Sequence, residues 1–184
     1  AYINSGVIIK DCLTSESTIE VLNYEGGATT VEGLEAGGIV AYVSTGKILN
    51  CKVLNTKISA GGMKCGGIAA SADTDVKIEN CYVDEKTDLE SGKNCNGGII
   101  GWIQTKNAKP IVINNCVSKC KQTATSAVGG IVGYADAKAT RGYLLVINCA
   151  TIGSELTGTA EGDNDCGGLI GRSGTTSGGD PIFL

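Results

Sequence analysis

The cysteines carry most of the reactive chemistry of this chain, and the absence of histidine argues against a catalytic role for them. The 184-residue sequence contains nine cysteines and no histidine. Without an imidazole no Ser-His or Cys-His dyad can form, and the commonest nitrogen ligand of metal ions is missing. There is also no Cys-x-x-Cys pair of the kind that zinc sites use. We therefore expect a protein that is not an enzyme and that binds no metal and no cofactor.

The spacing of the cysteines is compatible with disulfides. Two pairs have the same separation, which suggests one crosslink in each structural unit, and an exported location would permit such bonds. Four pairs are predicted, with Cys12 left over: Cys51–Cys65, Cys81–Cys95, Cys116–Cys120 and Cys149–Cys166. The alternative interpretation is that most of the cysteines are small apolar residues packed in a buried column. The sequence leaves both interpretations open.

Close pairs of carboxylates are the other candidates for chemistry. They could bind calcium, or act as acid and base in an enzyme that cleaves polysaccharides. The pairs are Asp73 with Asp75, Asp84 with Glu85, and Asp163 with Asp165. A carbohydrate-active enzyme is the alternative function, and its active site would draw on Asp73, Asp75, Lys77 and Lys106. The competing interpretation is that these residues lie in solvated turns.

Two sequence markers recur with the same phase and define the elements that must position these residues. Gly-Gly pairs begin at residues 37, 66, 97, 129 and 167, at spacings of 29, 31, 32 and 38 residues. Asn-Cys steps end at Cys51, Cys81, Cys116 and Cys149, and Asp11-Cys12 is a diverged first copy. A period near 30 residues indicates one supersecondary unit stacked on itself.

The segments around the markers are short, β-branched and bounded by glycine, which predicts strands rather than helices. We predict an all-β parallel β-helix (β-solenoid) of about five coils, with two or three strands in each coil of ~30 residues. Stacking would align equivalent residues in columns. Two inward apolar columns are expected: Ile48, Ile78, Ile113 and Val146, and Ile39, Ile68, Ile99, Ile131 and Leu169. The segment from Ser17 to Leu22 also favours a strand.

The marker residues have structural explanations. Asparagine tolerates a left-handed backbone and its amides can stack, so Asn50, Asn80, Asn115 and Asn148 are expected to form a ladder. The Gly pairs fit corners that require either positive φ or close backbone approach.

A further column is a candidate contact surface. The fourth residue after each Gly pair is Tyr42, Ser71, Trp102, Tyr134 or Arg172. Aromatic side chains with arginine suit contacts with carbohydrate or protein if they face outward. The alternative is that this column packs beneath a loop or inside the coil, because the apolar residues Ile39 and Val40 leave the direction of the strand faces undecided.

The pattern Gly-Gly-Ile/Leu-Val/Ile-Gly followed by Ile-x-Asn-Cys resembles the GLUG-motif repeats. Residues 37–171 carry the resemblance, and residues 129–133 and 166–171 are the best copies. The resemblance implies a parallel β-helix in a large adhesin-like protein at the cell surface or outside the cell. It supplies no catalytic residues.

Composition agrees with one soluble domain over residues 1–184, divided into repeats at about 1–36, 37–65, 66–96, 97–128 and 129–166 and a truncated 167–184. The net charge of −4 gives no basic footprint for nucleic acid, and no apolar run is long enough for membrane insertion. We expect a structural or adhesive segment of a larger extracellular or cell-surface protein, forming a stalk, filament or display scaffold. Its partners would be neighbouring segments or subunits at the coil ends, and glycans or a host protein. A carbohydrate-binding module is a further alternative.

Overall fold

A computed structural model describes residues 2–3, 6–22, 34–92, 94–105, 108–136, 142–159, 165–174 and 182–184. Within these residues the chain forms 27 short strands and no helix, so the all-β prediction is confirmed. The described part of the chain contains no helix that could cross a membrane. Every strand pairing that is formed is parallel, and each joins a strand to its counterpart one coil away.

The strands follow one another in a pattern that repeats after every fifth strand. In the first coil they are β1 (Tyr2–Ile3), β2 (Val7–Lys10), β3 (Leu13–Ser15), β4 (Thr18–Val21) and β5 (Glu35–Gly37). In the second coil they are β6 (Val40–Val43), β7 (Gly46–Leu49), β8 (Lys52–Leu54), β9 (Lys57–Ala60) and β10 (Lys64–Gly66). In the third coil they are β11 (Ala69–Ala72), β12 (Val76–Glu79), β13 (Tyr82–Val83), β14 (Asp88–Ser91) and β15 (Cys95–Gly97).

The last two coils repeat the order. The fourth contains β16 (Ile100–Gln104), β17 (Ile111–Asn114), β18 (Val117–Ser118), β19 (Lys121–Ala124) and β20 (Ala127–Gly129). The fifth contains β21 (Val132–Asp136), β22 (Leu144–Ile147), β23 (Ala150–Thr151), β24 (Leu156–Gly158) and β25 (Asp165–Gly167). Two strands of a further coil follow, β26 (Ile170–Gly174) and β27 (Ile182–Phe183).

Equivalent strands form five parallel sheets that run along the axis, which we number by their first strand. Sheet 1 begins with β1 and sheet 2 with β2, and each has six strands. Sheets 3, 4 and 5 begin with β3, β4 and β5 and have five strands each. The parallel β-helix of about five coils is therefore confirmed. The expected two or three strands per coil are wrong, because corners divide each predicted strand into shorter ones.

The two predicted apolar columns form the core. Ile48, Ile78, Ile113 and Val146 are in register on sheet 2, and all four are buried. Ile68, Ile99 and Ile131 are fully buried, whereas Ile39 and Leu169 in the second and last coils are partly buried and pack against the core. Burying one such side chain stabilises a fold by about 1.5–3 kcal/mol. The side chains of these columns are buried only because successive coils stack on one another.

The predicted asparagine ladder forms at the corner between sheets 2 and 3. Asn50, Asn80, Asn115 and Asn148 have φ between 52° and 56°, which is the left-handed region. Asn80 Nδ2 donates to Asn50 Oδ1 at 3.1 Å, and Asn115 Nδ2 donates to Asn80 Oδ1 at 2.8 Å. Asp11 continues the ladder below by accepting from Asn50 at 2.9 Å. At the top Asn148 donates instead to Asn114 Oδ1, at 3.2 Å.

The Gly pairs form the corner between sheets 5 and 1, and close approach explains them. None of their ten residues has positive φ. A Cβ on Gly97 would collide with the carbonyl oxygen of Ile100, and a Cβ on Gly98 would collide with the carbonyl oxygen of Gly130 in the next coil. The first glycine therefore allows the chain to turn tightly within its own coil. The second glycine allows the corners of adjacent coils to stack.

Candidate functional site

The aromatic column predicted from the Gly pairs lies on sheet 1 as a continuous row. Register pairs join Tyr42 to Ser71, Ser71 to Trp102, Trp102 to Tyr134, and Tyr134 to Arg172. Ser71 is buried, and the other four side chains are half-buried. The phenol of Tyr42 donates a hydrogen bond to the carboxylate of Asp73.

A second row on sheet 5 faces the same space. It consists of Glu35, Lys64, Cys95, Ala127 and Asp165, which are in register along the axis. The tight Gly-Gly corner brings this row against the row on sheet 1. The two rows line a trough that runs along the solenoid, which we call the axial groove.

Side-chain contacts run along and across the axial groove. Lys64 Nζ lies 2.7 Å from Glu35 Oε1 and 5.0 Å from the centre of the Trp102 ring. The rings of Trp102 and Tyr134 have centroids 4.4 Å apart and are tilted by 44°. Both ends of the aromatic pair thus meet a cation, and each cation is itself paired with a carboxylate, since Arg172 Nε lies 3.3 Å from Asp165.

The groove widens in the middle into a cleft of about 280 Å³. It does so because the sheet 5 row carries small residues here, Cys95 and Ala127, opposite the rings. The cleft is lined by Asn94, Cys95, Trp102, Ser126, Ala127, Tyr134 and Arg172. Burial raises the pKa of Tyr134, so its phenol is protonated at neutral pH and can donate a hydrogen bond. The cleft therefore combines aromatic surface with uncharged polar groups and with the guanidinium of Arg172.

Seven residues of the groove other than the predicted column were missed by sequence reasoning, although a signal for most of them exists. The five members of the sheet 5 row all stand two residues before a Gly pair: Glu35, Lys64, Cys95, Ala127 and Asp165. In a strand, residues at that offset point to the same face in every coil. Comparison of the residues at this offset would have located the wall of the groove on sheet 5. The other two, Asn94 and Ser126, each stand one residue before a member of that row and have no such pattern.

The carboxylates proposed for an enzyme are engaged in structural contacts. Asp75 has φ 56° and its carboxylate lies 2.8 Å from Lys109 Nζ. Asp75 and Lys77 both line a shallow cleft on sheet 2, whereas Lys106 lies outside the described residues. Asp84 accepts hydrogen bonds from the Thr87 hydroxyl at 2.7 Å and from the backbone of Asn55 at 3.0 Å, as a turn residue does.

Of the two carboxylates predicted to bind calcium, Asp163 also lies outside the described residues. The other, Asp165, pairs with Arg172 in the groove. Among the residues that are described, no group of three or more His, Cys, Asp or Glu side chains is placed to hold a metal ion.

All nine cysteines are free thiols in the structure. The four predicted pairs, Cys51–Cys65, Cys81–Cys95, Cys116–Cys120 and Cys149–Cys166, are therefore not formed in it. Their matched separations do not correspond to matched positions, since Cys65 is in register with Asn96 and Cys95 with Lys64. A shift of one residue turns a side chain to the opposite face.

The alternative interpretation, in which cysteines pack as small apolar residues, describes six of the nine. Buried cysteines are Cys51, Cys65, Cys81, Cys95, Cys116 and Cys120. Burial raises the pKa of the Cys51 thiol to about 11 and that of Cys120 to about 12. The thiols of Cys51 and Cys120 are therefore neutral at physiological pH.

The comparison with solved structures supports the fold. A protein from Bacteroides ovatus, described as a candidate immunoglobulin A1 protease, is similar to this chain with a TM-score of 0.57 at 23% identity. The likeness covers 90% of this chain and 49% of that one, so this chain spans about half the length of that protein. No protein-family model and no curated protein matches the sequence. The resemblance to GLUG-motif repeats thus stays a prediction, while the parallel β-helix is established.

Proposed function

We propose that this chain is a rigid segment of a larger extracellular or cell-surface protein, with a structural and adhesive role, and that the axial groove is its contact surface. The observation that carries the proposal is the cleft beside the adjacent, tilted rings of Trp102 and Tyr134. Residues from different coils build this cleft, so the solenoid must stack in register before the site exists.

The scaffold suits display because its side chains are fixed by stacking. Sheet 1 holds Trp102 and Tyr134 in neighbouring strands that are paired over several residues. The Gly-Gly corner beneath them leaves no room for a Cβ. Binding to such a site would not require ordering of a loop, which removes one entropic cost of association.

The chemistry of the groove favours carbohydrate among possible ligands. Aromatic rings provide apolar surface for sugar C–H groups, and the amide of Asn94 and the hydroxyl of Ser126 can bond sugar hydroxyls. The flanking cations, Lys64 and Arg172, each have a carboxylate beside them. This pairing offsets their charge, so we propose an uncharged glycan segment lying along the groove.

A glycan array with matched variants tests the proposal. We expect the wild-type protein to bind a subset of glycans and Trp102→Ala to weaken that binding at least about tenfold, since an aromatic anchor contributes roughly 1.4 kcal/mol or more. Tyr82→Ala is the control, because this tyrosine lies on sheet 3 outside the groove. Binding that is equally strong in both variants, or absent for every glycan, would refute the groove as the contact surface. Release of reducing sugars would favour the enzyme alternative.

The ends of the solenoid support the proposal that this segment adjoins other protein. Within the part of the chain that the structure describes, strands β2, β3 and β4 of the first coil each pair on one side only. Leu13 and Leu22 at this end are 60% and 71% exposed. Unpaired strand edges with apolar side chains readily accept another strand.

We therefore propose that strands of the larger protein, or of a neighbouring subunit, cover β2, β3 and β4. Light scattering should show that the isolated segment self-associates as its concentration rises, and that Leu13→Lys reduces the association. A chain that stays monomeric at all concentrations would contradict the proposal.

A further inference from the structure

Five cysteines form a second ladder that the groove does not use. Each follows the left-handed Asn or Asp at the corner between sheets 2 and 3, and directly precedes an in-register strand of sheet 3. The members of this thiol ladder are Cys12, Cys51, Cys81, Cys116 and Cys149. Their nearest cysteine neighbours therefore lie in adjacent coils and not in their own coil.

The spacing of the thiol ladder matches disulfide geometry. Neighbouring strands of a parallel sheet lie about 4.8 Å apart, which falls within the Cα separation of about 4.4–6.8 Å that disulfides span. The sulfurs also point along the axis, since Cys149 Sγ lies 3.6 Å from the carbonyl oxygen of Ile113, one coil below. Cys116 Sγ likewise lies 3.6 Å from the carbonyl oxygen of Ile78, one coil below it.

Cys149, the last member of the ladder, is more accessible than Cys116, its neighbour in the fourth coil. Cys149 is half-buried, whereas Cys116 beneath it is fully buried. The Cys116 thiol beside it lowers the pKa of Cys149 from its ordinary value. This favours the thiolate, which is the form that attacks disulfides.

We propose that Cys116 and Cys149 form a disulfide between the fourth and fifth coils when the protein meets a low-molecular-weight disulfide oxidant. The Cys149 thiolate attacks the oxidant, forms a mixed disulfide and releases one thiolate. The Cys116 thiol then loses its proton to solvent, its sulfur attacks the Cys149 sulfur, and the second thiolate leaves. Two protein thiols are oxidised and one external disulfide is reduced to two thiols.

Such a bond would reinforce the contact between two coils. Among the described strands, β23 of the fifth coil pairs only with β18 of the fourth, and a strand paired on one side opens more easily than one paired on both. A bond within one coil would leave that opening unaffected. The Cys116–Cys149 bond instead ties β23 to β18 covalently and holds the fifth coil on the fourth.

Oxidation with glutathione disulfide followed by peptide mass spectrometry tests the proposal. We expect a crosslinked peptide whose fragments assign the bond to Cys116 and Cys149, and a rise in the unfolding temperature of about 5 °C or more. Cys149→Ser and Cys116→Ser should abolish both effects. Cys166→Ser is the control, because this exposed cysteine lies on sheet 5 outside the ladder, and both effects should persist in it.

Two results would overturn the inference. One is an oxidised protein in which Cys149 is linked to Cys166 or to any residue other than Cys116. The other is a Cys116–Cys149 bond that leaves the unfolding temperature unchanged, which would show that joining the fifth coil to the fourth does not stabilise the solenoid. Circular dichroism of each reduced serine variant confirms that it retains the β fold, so that loss of the crosslink cannot come from unfolding.

Discussion

At the scale of single residues, the Asn-Cys steps carry two separate structural tasks. The asparagine occupies a left-handed corner, and the cysteine after it packs into the core. The first task was predictable, because asparagine is among the few residues that adopt this conformation readily. The change of partner at the top of the ladder was not predictable. Asn114 and Asn115 both offer an amide oxygen in that coil, and sequence does not decide which one Asn148 uses.

The asparagine ladder predicts a graded response to substitution at Asn80, which donates to Asn50 and accepts from Asn115. Asn80→Ala should lower the free energy of unfolding by about 2–4 kcal/mol, because alanine loses both hydrogen bonds and is strained at φ 56°. Asn80→Gly removes only the amide and should cost roughly half as much. Urea denaturation measures both values. Equal losses in the two variants would show that the left-handed backbone contributes nothing.

The thiols show where residue spacing misleads. Cys51–Cys65 and Cys81–Cys95 have the same separation, yet Cys95 stands one residue further from its Gly pair than Cys65 does. That single residue places Cys65 in the core and Cys95 in the wall of the groove. The position of each cysteine relative to its Gly pair, and not the separation between cysteines along the chain, therefore determines which cysteines are neighbours.

At the scale of elements, the corners shape each coil more than the strands do. The sequence predicted the strand type and the Gly-Gly corners correctly, because β-branched residues and paired glycines have clear preferences. It did not predict five strands per coil. The corner at Asn55, with φ 47°, interrupts an otherwise strand-like segment between β8 and β9. Such a corner has no marker that recurs in every coil, so the sequence reads as one strand.

The stacked corners predict effects of very different size for the same substitution at two equivalent glycines. Gly98→Ala should lower the free energy of unfolding by at least about 2 kcal/mol, since the added Cβ collides with the Gly130 carbonyl and the Ser118 side chain. Gly168→Ala should change it by less than about 0.5 kcal/mol, because nothing lies within 4 Å of the position of its Cβ. Chemical denaturation compares the two. Similar losses at both positions would mean that close approach between coils is not what the Gly pairs provide.

The same distinction applies to the axial groove. One wall was predicted from residues at a fixed offset after the Gly pairs, and aromatic residues such as Trp102 and Tyr134 made it conspicuous. The facing wall is chemically mixed, with charged, apolar and thiol side chains in successive coils. This wall could be identified only from the geometry of the Gly-Gly corner, which brings sheets 5 and 1 together.

At the scale of the whole molecule, one principle accounts for the core, the ladders and the groove. Each is a set of equivalent residues from successive coils, and none exists within a single coil. Stability should consequently depend on contacts between neighbouring coils rather than on one central core. The proposed glycan site and the proposed Cys116–Cys149 bond both depend on this stacking, although either could fail without the other.

Nuclear Overhauser effects between methyl groups of the sheet 2 column test the stacking most directly. In protein with labelled isoleucine and valine methyls, we expect cross-peaks from Ile48 to Ile78, from Ile78 to Ile113 and from Ile113 to Val146, with none between Ile48 and Val146. This pattern follows from the observed register of the four residues. A spectrum in which Ile78 contacts neither Ile48 nor Ile113 would contradict the parallel, in-register solenoid.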